Sequence, residues 1–511
     1  MPGTIVTSIG LALGSVGISL GFVGTQILTA VVTLAPAAIG AGYQAIQASK
    51  LKKQLSAIND DKGIQQILKQ TVPAQRLVLG TVTQGGAMFF YEAKPPYIWY
   101  GILLAGHPCG AFKGLYVNGH DVRFTPDGFA TTTPYRDGAN KYLEISYRSG
   151  DIDQAIDPII ARDFPNMPST FRQRGHATLV IKAHYGFGAT RQAKQDDHEA
   201  KYGPTGRFTP LVRHEGALAY DPRKPGHVLD DESTWAFTSN AILNTARFLT
   251  HGWPDTRLVD PDRLDWDRWA IAADEADRWD MGKDGRTFRR HTADGVIQST
   301  DDPYDVIDAL RTAALCHLVI DRGRIYPVMR QRRPATATIH LAMLRGPVEY
   351  VSAAKKADLV NIVNSEFIAP EREYQMVNGP VLRRSDLIAL DGQPRAFTLR
   401  GSFVEGSSRI QRLQHAWLKV KRAGRGLSIG VTIEALDQTK FGIGCKVRVA
   451  FPEGTLFALY NGEYEVVGRG WDERLEHMRL TLREAVDDVK DFDPATDEQD
   501  FTLDDDTLEA A

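Results

Sequence analysis

From Val72 onward, apolar and polar residues alternate in short runs that are separated by turn-forming residues. Such alternation is typical of half-buried β-strands, because successive side chains of a strand point to opposite faces. The runs with this pattern are LVLGTVT, AMFFYEA, YIWYGILLAG, GLYVNGHDVRF, Tyr142 to Tyr147 and Ala177 to Tyr185. Gly-Gly, Pro-Pro and Asn-Gly steps divide the first four runs. We therefore predict a first β-rich module over residues 72–187.

From Thr234 the spacing of apolar residues becomes that of a helix. The residues that share one predicted helix face are Trp235, Ala241, Ile242, Thr245, Phe248 and Leu249. The same spacing returns in Trp266 to Trp279 and in Pro303 to His317. These stretches predict an inserted α/β module over residues 188–335.

Strand patterns resume near Thr336 to Val348 and form a long series from Leu427 to Arg483. Residues 336–486 are therefore predicted to form the later modules of the chain. Because runs of strands and helices are segregated along the sequence, the predicted fold class is α+β with several domains.

The first 49 residues carry no charged side chain and are apolar and rich in glycine. The glycines that recur at steps of seven, four, three, four and three residues are Gly3, Gly10, Gly14, Gly17, Gly21 and Gly24. On a helix this spacing forms one stripe where two backbones can approach closely. Each glycine costs a lone helix about 1 kcal/mol relative to alanine, so such a helix needs a partner. We predict that residues 1–60 form an apolar helical segment that associates with copies of itself or packs on another apolar wall.

Two other interpretations of this segment stay open. Ile5 to Val32 is long enough for a transmembrane helix, and a flexible glycine-rich leader is the simpler alternative. A secretory signal is not predicted, because no basic residue precedes the apolar run. Pro36 ends the first predicted helix, and a second is expected from about Ala37 to Leu55.

Charge is distributed unevenly although the formal net charge of the 511 residues is −3. Residues 487–511 hold eleven carboxylates and a single lysine, so the remainder of the chain is mildly basic. This balance excludes a globally basic nucleic-acid binder. The acidic tail 487–511 is predicted to be disordered. The alternatives are a strip that docks on a basic neighbour and a lining that repels DNA phosphates.

Candidate catalytic and metal-binding groups do not form an established motif. The acid–histidine clusters at residues 196–199 and 214–215 lack metal-ligand spacing, so both are predicted to lie in solvated loops. His184 and His317 lie inside apolar runs and are interpreted as core histidines. Cys316 is predicted to pack on an amphipathic helix.

Other signals for chemistry are also weak. Ser233 and Ser365 lack a GxSxG context, and Gly442 to Gly444 is not followed by the Gly-Lys-Ser/Thr of a phosphate loop. Cys109, Cys316 and Cys445 are too far apart for a CxxC zinc site or a disulfide framework. The arginines that could contact phosphate or another subunit, but are more often salt-bridged, are Arg322, Arg324, Arg330, Arg332 and Arg333. The prediction is a protein without catalytic activity, cofactor or metal.

Several stretches occur in the order found in one protein family. They are PAQRLVLGTVTQGG, LLAGHPCGAFKGLYVNGHDV, FRQRGHATLVIKAHY, residues 266–328, ADLVNIVNSEFIAPEREYQ and RIQRLQHAWLKVKRAGRGLSIGVTIEALDQTKFGIGCKVRV. From Val72 to Glu484 the chain resembles the central tail-hub (tail-tip attachment) protein of long-tailed bacteriophages. The most specific match is Tyr220-Asp221-Pro222-Arg223, which is followed by WAFTSNAILNTARFLTH.

In the family this match has the form "yDPR" and then "W..s.NPAl". The residues that carry it here are Asp221, Pro222, Arg223, Trp235 and Asn240. Two positions depart from the family: Ala241 replaces the usual proline, and Ala273 replaces a cysteine that often precedes Asp-Glu.

The resemblance implies a homotrimer that closes the distal end of the tail tube in the virion. Two modules per subunit, like the β-barrels of tail-tube proteins, would present six barrels to a six-fold tube, and inserted helical modules would build the tip. The implied partners are distal tail and tail-tube proteins, other tip or fibre proteins, the tape measure protein, and genomic DNA that passes through the lumen. We expect the N-terminal segments to plug the lumen or to meet the host membrane when DNA leaves.

Many members of the family continue into a receptor-binding end, so we expect separate fibre proteins to choose the receptor. Two other classes of protein stay open on the sequence: a membrane-active, pore-forming protein that works through residues 1–60, and a cell-wall hydrolase. The hub of a contractile injection machine is a third alternative, close to the tail hub. A cell-wall hydrolase would need a cleft of carboxylates or a metal site.

Overall fold

The computed structural model describes residues 73–202, 208–252, 257–330, 333–353, 359–471, 477–486 and 492–501. The predicted apolar segment 1–60, with its glycine stripe, lies outside these residues and stays a prediction. Within the described ranges, no helix is both long and apolar enough to cross a membrane. All described residues belong to one compact unit, Asp61–Ala511.

The first β module contains two four-stranded antiparallel sheets, in the orders β3-β4-β10-β9 and β2-β11-β5-β6. Its strands are β1 (Arg76–Leu79), β2 (Thr81–Gln84), β3 (Ala87–Lys94), β4 (Tyr97–Ala105), β5 (Phe112–Val117), β6 (His120–Val122), β7 (Arg136–Asp137), β8 (Asn140–Lys141), β9 (Leu143–Arg148), β10 (Ala177–His184) and β11 (Pro210–Glu215). The strands expected from the alternating runs are confirmed. Asn118 and Gly119 form the β5–β6 turn with φ angles of 49° and 83°, as Asn-Gly hairpins require.

The two sheets share one core, in which Leu115, Tyr135 and Tyr142 are almost completely buried. The short helix α1 (Pro158–Asp163) packs with a second, smaller cluster that includes Trp99 of β4. Asp157 caps this helix by accepting hydrogen bonds from the first backbone N–H groups.

Strands from distant parts of the sequence complete this module. β11 lies between β2 and β5, and β1 pairs with β16 (Gly295–Gln298) in the register Arg76↔Gln298. Strand pairing therefore runs across the predicted boundary between residues 187 and 188, while the domain limits themselves stay a prediction.

The two acid–histidine clusters lie in regular structure, so the loop prediction was wrong for both. Residues 196–199 belong to helix α2 (Arg191–Tyr202), where the Asp197 carboxylate accepts hydrogen bonds from Tyr142 Oη and from the Phe187 N–H. His214 is completely buried in β11, with Nε2 at 2.9 Å from Nε2 of Gln84. Asp197 and His214 are held by residues that are distant in sequence, and the polarity of the neighbouring residues does not reveal such contacts.

Three helices form the centre of the next unit: α3 (Ala241–His251), α4 (Trp266–Ala276) and α5 (Pro303–Ala314). Its strands are β12 (Leu218–Ala219), β13 (Ala236–Phe237), β14 (Trp279–Met281), β15 (Thr287–Arg289), β16, β17 (Cys316–Asp321) and β18 (Arg324–Met329). Asn240, Asp265 and Asp302 cap the three helices.

The caps explain where the helix predictions were too long. Trp235 precedes α3 in extended backbone, because the helix begins only after the Asn240 cap. α4 ends at Ala276, so Trp279 lies in β14. α5 ends before Leu315, which caps the helix in the left-handed conformation with a φ angle of 49°. Cys316 was predicted to be helical, but it begins β17; it is buried as expected.

A mixed sheet packs against α5 through its strand β24 (Ala396–Glu405) and against helix α7 (Ser407–Arg422). Its strands are β21 (Ile362–Ala369), β22 (Gln375–Asn378), β23 (Leu382–Arg383) and β24 (Ala396–Glu405), and helix α6 (Ser385–Asp391) lies between the last two in sequence. β21 is the centre and pairs parallel with β24. The resulting core continues into the core around α3, α4 and α5.

A second β module is a six-stranded half-barrel with the order β19-β26-β27-β28-β25-β20. Its elements are β19 (Ala337–Ile339), β20 (Leu344–Val351), β25 (Gly426–Val431), helix α8 (Gln438–Phe441), β26 (Lys446–Val449), β27 (Gly462–Trp471) and β28 (Met478–Glu484). The two outermost strands, β19 and β20, are consecutive in sequence, so the sheet curls around its own core. Together the sheets and helices confirm the predicted α+β class.

Part of the acidic tail is ordered, in contrast to the prediction from composition. Residues 492–501 include the short helix α9 (Pro494–Asp497), and Phe492 is buried. Aromatic residues at both ends of this segment give it apolar surface to bury, which the count of carboxylates conceals.

Candidate functional site

Three of the motif residues singled out in the sequence, Asp221, Arg223 and Asn240, meet at the C-terminal end of α4. Asp221, Pro222 and Arg223 follow β12, and Asn240 caps α3. β12 pairs with β13, which lies just after Trp235, so this small sheet brings the two halves of the motif together. We refer to Asp221, Arg223, Asn240 and their partners on α4 as the Asp-Pro-Arg clamp.

Arg223 holds three carboxylates at once. Its Nε and Nη2 atoms donate to the two oxygens of Asp221 at 2.8 and 2.9 Å. Nη1 donates to Asp274 at 2.9 Å, and Nη2 also donates to Asp277 at 2.8 Å. The planar guanidinium group suits this bidentate geometry, which a lysine cannot reproduce.

The electrostatics of the clamp favour the ionised state of both partners. Burial alone would raise the pKa of Asp221, but the hydrogen bonds from Arg223 outweigh it, so the pKa of this carboxyl group is lowered. The same hydrogen bonds, first of all that with Asp221, raise the pKa of Arg223. A cation at the C-terminal end of α4 also opposes the negative end of the helix dipole.

Asn240 connects two helices with one side chain. Its Oδ1 accepts hydrogen bonds from the N–H groups of Ile242 and Leu243 at 3.0 and 3.2 Å, which caps α3. Its Nδ2 donates to the carbonyl of Ala273 in α4 at 2.9 Å. The residue is 2% exposed, so both halves of the amide are used away from water.

Trp235 anchors the chain between the two halves of the motif. Its Nε1 donates to the carbonyl of Val228 at 2.8 Å, and the Arg247 guanidinium lies 5.1 Å from its ring. Arg247 in turn pairs with Glu232 at 3.1 Å.

The two departures from the family pattern fit their surroundings. The N–H of Ala241 donates to the carbonyl of His291 at 3.2 Å, a bond that the usual proline could not make. Ala273 is completely buried, and its carbonyl accepts from Asn240 and from the N–H of Asp277. The clamp therefore joins the loop after β12, the start of α3 and the end of α4, and each of its charged groups is paired within it.

His107 and Cys109 form a neighbouring pair whose burial favours their neutral forms. His107 Nε2 accepts a hydrogen bond from the Val78 N–H at 3.0 Å, and burial lowers the pKa of His107 to about 3. Burial also raises the pKa of the Cys109 thiol, whose Sγ lies 3.7 Å from Nδ1 of His107. A cysteine nucleophile needs the opposite shifts. In the part of the chain that the structure describes, no three His, Cys, Asp or Glu side chains are placed to hold a metal ion.

A cleft of about 560 Å³ lies between the half-barrel and the mixed-sheet unit. Its charged lining residues are paired: Arg422 with Asp391 at 2.7 Å and Arg425 with Glu484 at 2.6 Å. These pairs connect the end of α7 to its neighbours on either side.

Two basic residues of the 322–333 stretch, Arg324 and Arg333, have partners within the chain. Arg333 pairs with Glu465 at 3.5 Å, and Arg324 donates to the carbonyl of Asp262 at 2.7 Å. His317 lies 2.6 Å from the same Glu465 and is half-buried, in a less enclosed position than the core predicted for it. Arg332 lies outside the described residues.

Sequence reasoning missed the partners of Arg223 and the binding of the C-terminal segment. Asp274 and Asp277 lie on a helix about 50 residues downstream, and spacing along the chain does not connect them to the motif. For the segment a signal did exist: Asp493-Pro494 is a typical helix start, and Phe492 and Phe501 are unusual in a solvated acidic tail.

Comparison with known proteins gives structural neighbours alone. No protein-family model matches the chain, and no curated protein matches it. A chain from the virion of a native gene transfer agent (GTA) particle has a TM-score of 0.49 and 16% identity, covering 88% of this chain and 97% of that chain.

Two crystal structures of tail proteins are also similar. The tail protein from Neisseria meningitidis MC58 has a TM-score of 0.30 and 12% identity, covering 83% of this chain and 95% of that chain. The 43 kDa tail protein of prophage MuSo2 from Shewanella oneidensis has a TM-score of 0.29 and 12% identity, with coverage of 81% and 96%. The TM-scores of all three structures are below 0.5, so these similarities do not decide the function.

Proposed function

We propose that this chain is a structural protein of a phage-type tail, the homotrimeric hub that closes the distal end of the tail tube. One observation carries the proposal: a motif order like that of the tail-hub family occurs in a chain with two β modules that have separate cores. The first core lies between two sheets, and the second lies inside the half-barrel.

Two modules per chain would allow a three-fold ring to meet a six-fold tube. Three copies supply six β modules, so each module would face one subunit of the tube ring. The helical units between the modules would then form the tip and contact its other proteins. In this scheme the chain forms or gates the exit channel for DNA, and no step of its work is catalytic.

The Asp-Pro-Arg clamp fits this mechanical role. It joins the loop after β12, the start of α3 and the end of α4 through hydrogen bonds that Arg223 and Asn240 donate. Such a contact holds elements at a fixed distance when load passes along the tail. The most specific motif of the chain is therefore explained by shape and not by reactivity.

The glycine-striped segments would meet around the three-fold axis. We propose that they plug the lumen or line its exit, because an uncharged apolar stretch on a chain with a charged surface needs a partner. Close packing of three glycine stripes would supply that partner.

The oligomeric state and the position in the particle test the proposal. We expect mass photometry of the purified full chain to give a trimer, and imaging of intact particles with relaxed symmetry to place it at the distal end of the tail. A monomer at every concentration, together with absence from the tail tip, would overturn the hub. Flotation with liposomes without any trigger would instead favour a membrane-active protein.

A further inference from the structure

Residues 492–501, the C-terminal segment, lie in a groove on the outer side of α7. Ser408, Gln411, Arg412 and His415 are spaced three, four and seven residues apart, so they form one stripe along the helix. Lys283, in the β14–β15 turn, completes the groove. We call these five residues the segment groove.

Polar contacts fix the segment in one register. Gln411 and Gln499 form a reciprocal pair: Gln411 Nε2 donates to the Gln499 carbonyl at 3.0 Å, and the Gln499 N–H donates to Gln411 Oε1 at 2.8 Å. The Glu498 carboxylate accepts hydrogen bonds from the Lys283 N–H at 3.0 Å and from Ser408 Oγ. The Lys283 ammonium group pairs with Asp500 at 2.9 Å.

Aromatic residues anchor both ends of the segment. Phe492 meets the His415 ring edge-on at 5.0 Å between centroids, and the Arg412 guanidinium lies 5.0 Å from the Phe492 ring. Phe501 meets Phe367 of the mixed sheet at 5.2 Å. Rings at each end with a carboxylate between them give the groove a specific ligand: a short acidic peptide with two aromatic anchors.

Charge adds to this selectivity. The segment carries Asp493, Asp497, Glu498 and Asp500, and Lys283 presents a cation to Asp500. The Arg412 guanidinium pairs with Asp280 at 3.2 Å and meets the segment at the Phe492 ring. Glu498 is 9% exposed, so removing its hydrogen-bond partners would leave a carboxylate poorly solvated.

The segment is an accessory to the fold. No residue of the segment belongs to the fully buried members of the two β-module cores, and Phe501 touches the helical core only from its side. None of the segment's described residues pairs with a β-strand. The segment can therefore leave the groove without breaking a sheet, and the part of the helical core that it uncovers is the contact with Phe501.

We propose that the segment groove is a docking site for the C-terminal segment of a second copy of this chain. When copies assemble side by side, the segment of one copy replaces the resident segment of its neighbour. This inference takes from the proposed function only that several copies lie next to one another.

A second copy is the occupant that the chemistry favours. Every copy carries a ligand that already satisfies each hydrogen bond and both aromatic contacts of the groove, so exchange conserves all of them. β28 ends at Glu484, in the half-barrel, whereas the groove belongs to the helical unit. An exchanged segment would thus connect the half-barrel of one copy to the helical unit of the next.

Isotope mixing with a photo-crosslinker tests the exchange in the full chain. The chain with Phe492 replaced by the photoreactive p-benzoylphenylalanine is prepared in ¹⁴N and ¹⁵N forms, mixed in equal amounts, assembled and illuminated. We expect crosslinks to α7, about half of which join a ¹⁴N peptide to a ¹⁵N peptide. Same-isotope crosslinks alone would show that each segment stays on its own chain, and would overturn the proposal.

Two controls keep the result specific. The same photoreactive residue at Tyr304, which is 81% exposed, should give no crosslinks to α7. Gln411→Ala in both isotopic forms should reduce the mixed crosslinks at least tenfold, because it removes both bonds of the reciprocal pair.

A binding measurement covers the case in which the photoreactive chain does not fold. A fluorescent peptide of residues 492–501 is titrated into the full chain with Glu498→Gln and Phe501→Ala. We expect saturable binding that weakens at least tenfold when both phenylalanines of the peptide are replaced by alanine. Absence of binding would overturn the docking site, whereas the mass of the assembly and its place in the particle decide the hub separately.

Discussion

At the scale of single residues, Arg223 concentrates the electrostatics of the Asp-Pro-Arg clamp. One guanidinium group balances Asp221, Asp274 and Asp277, and two of these carboxylates are mostly shielded from water. Removing the cation from such a cluster lowers the free energy of unfolding by more than one isolated ion pair contributes, because the remaining carboxylates repel one another without compensation.

Arg223→Ala is expected to lower the free energy of unfolding by about 2–4 kcal/mol. Arg223→Lys should recover a small part of this loss, since one ammonium group cannot bind two oxygens of Asp221 in a fork. Urea denaturation followed by tryptophan fluorescence measures both. Arg286→Ala is the matched control, because Arg286 is 88% exposed and its pair with Asp284 should contribute little. Equal effects of Arg223→Ala and Arg286→Ala would contradict the clamp.

Asn240 allows its two functions to be separated. Asn240→Ser keeps an oxygen that can cap α3 but loses the donor to Ala273, whereas Asn240→Ala loses both. We expect Asn240→Ala to cost about 2 kcal/mol and Asn240→Ser about half of that. If thermal unfolding gives the two variants the same midpoint, the link to α4 contributes nothing.

Buried histidines make the fold sensitive to acid. Burial lowers the pKa of His107 and His291 to about 3 and that of His214 to about 4. In the unfolded chain these groups take up protons below about pH 6.5, while in the folded chain they stay neutral down to pH 3–4. The unfolded state therefore binds more protons in this window, and stability falls as the pH falls.

For each such histidine the slope should be smaller between pH 7 and 6 and should approach about 1.4 kcal/mol per pH unit near pH 5. Denaturation midpoints at pH 7, 6 and 5 measure it, a range in which ordinary carboxylates contribute little. His107→Gln should reduce the slope. A stability that is independent of pH between 7 and 5 would contradict neutral buried histidines.

At the scale of elements, the junction between β1, β11 and β12 depends on a close backbone approach. The N–H of Gly216 donates to the Gly80 carbonyl and that of Ala217 to the Val78 carbonyl, both at 2.7 Å. A Cβ atom on Gly216 would lie 2.4 Å from the Val78 oxygen, closer than any unstrained contact.

Gly216→Ala should therefore destabilise the chain by about 2 kcal/mol or more, since a packed backbone cannot move aside without losing hydrogen bonds. Gly114→Ala is the control from the same module, because a Cβ atom at Gly114 in β5 would meet nothing within 4 Å. Differential scanning calorimetry of the two variants gives the comparison. Similar melting temperatures would show that the junction relaxes freely.

How far the sequence predicts these elements depends on whether the signal is local. The strands of the first module follow from alternation, and the Asn118–Gly119 turn from its residue types. Helix ends were less accurate because a cap such as Asn240 decides them, and the apolar periodicity extends beyond the cap.

Local polarity failed where distant residues bury a charged group. Asp197 looks solvated in sequence, yet Tyr142 and the Phe187 N–H enclose its carboxylate. Glu498 is the same case at the end of the chain, since its partners Lys283 and Ser408 are far away in sequence. The sequence identified the motif residues of the candidate site, but only the structure showed that three carboxylates surround Arg223.

At the scale of the whole molecule, assembly is proposed to depend on close packing of the glycine stripes of three copies. Gly14→Leu with Gly17→Leu would fill the stripe and prevent close approach of two backbones. We expect the trimer to dissociate into smaller species at concentrations where the unaltered chain stays assembled. Leu13→Ile with Leu20→Ile is the control, because it changes other faces of the predicted helix at constant volume. Mass photometry compares the masses of the two double variants. An intact trimer in the Gly14→Leu, Gly17→Leu variant would show that the glycine stripe is not part of the interface.

The pairing of β1 with β16 also determines when the first module can form during synthesis. More than 200 residues separate Leu79 from its partner Gly295, so the opening strand has left the ribosome long before its neighbour exists. At about 5–20 residues per second this gap lasts on the order of 10–40 s. During that time β1, an apolar strand, lacks the strand with which it pairs and is open to wrong pairing between nascent chains on one message. We therefore expect the yield of folded protein in the cell to depend on translation speed and on chaperones that cover this strand.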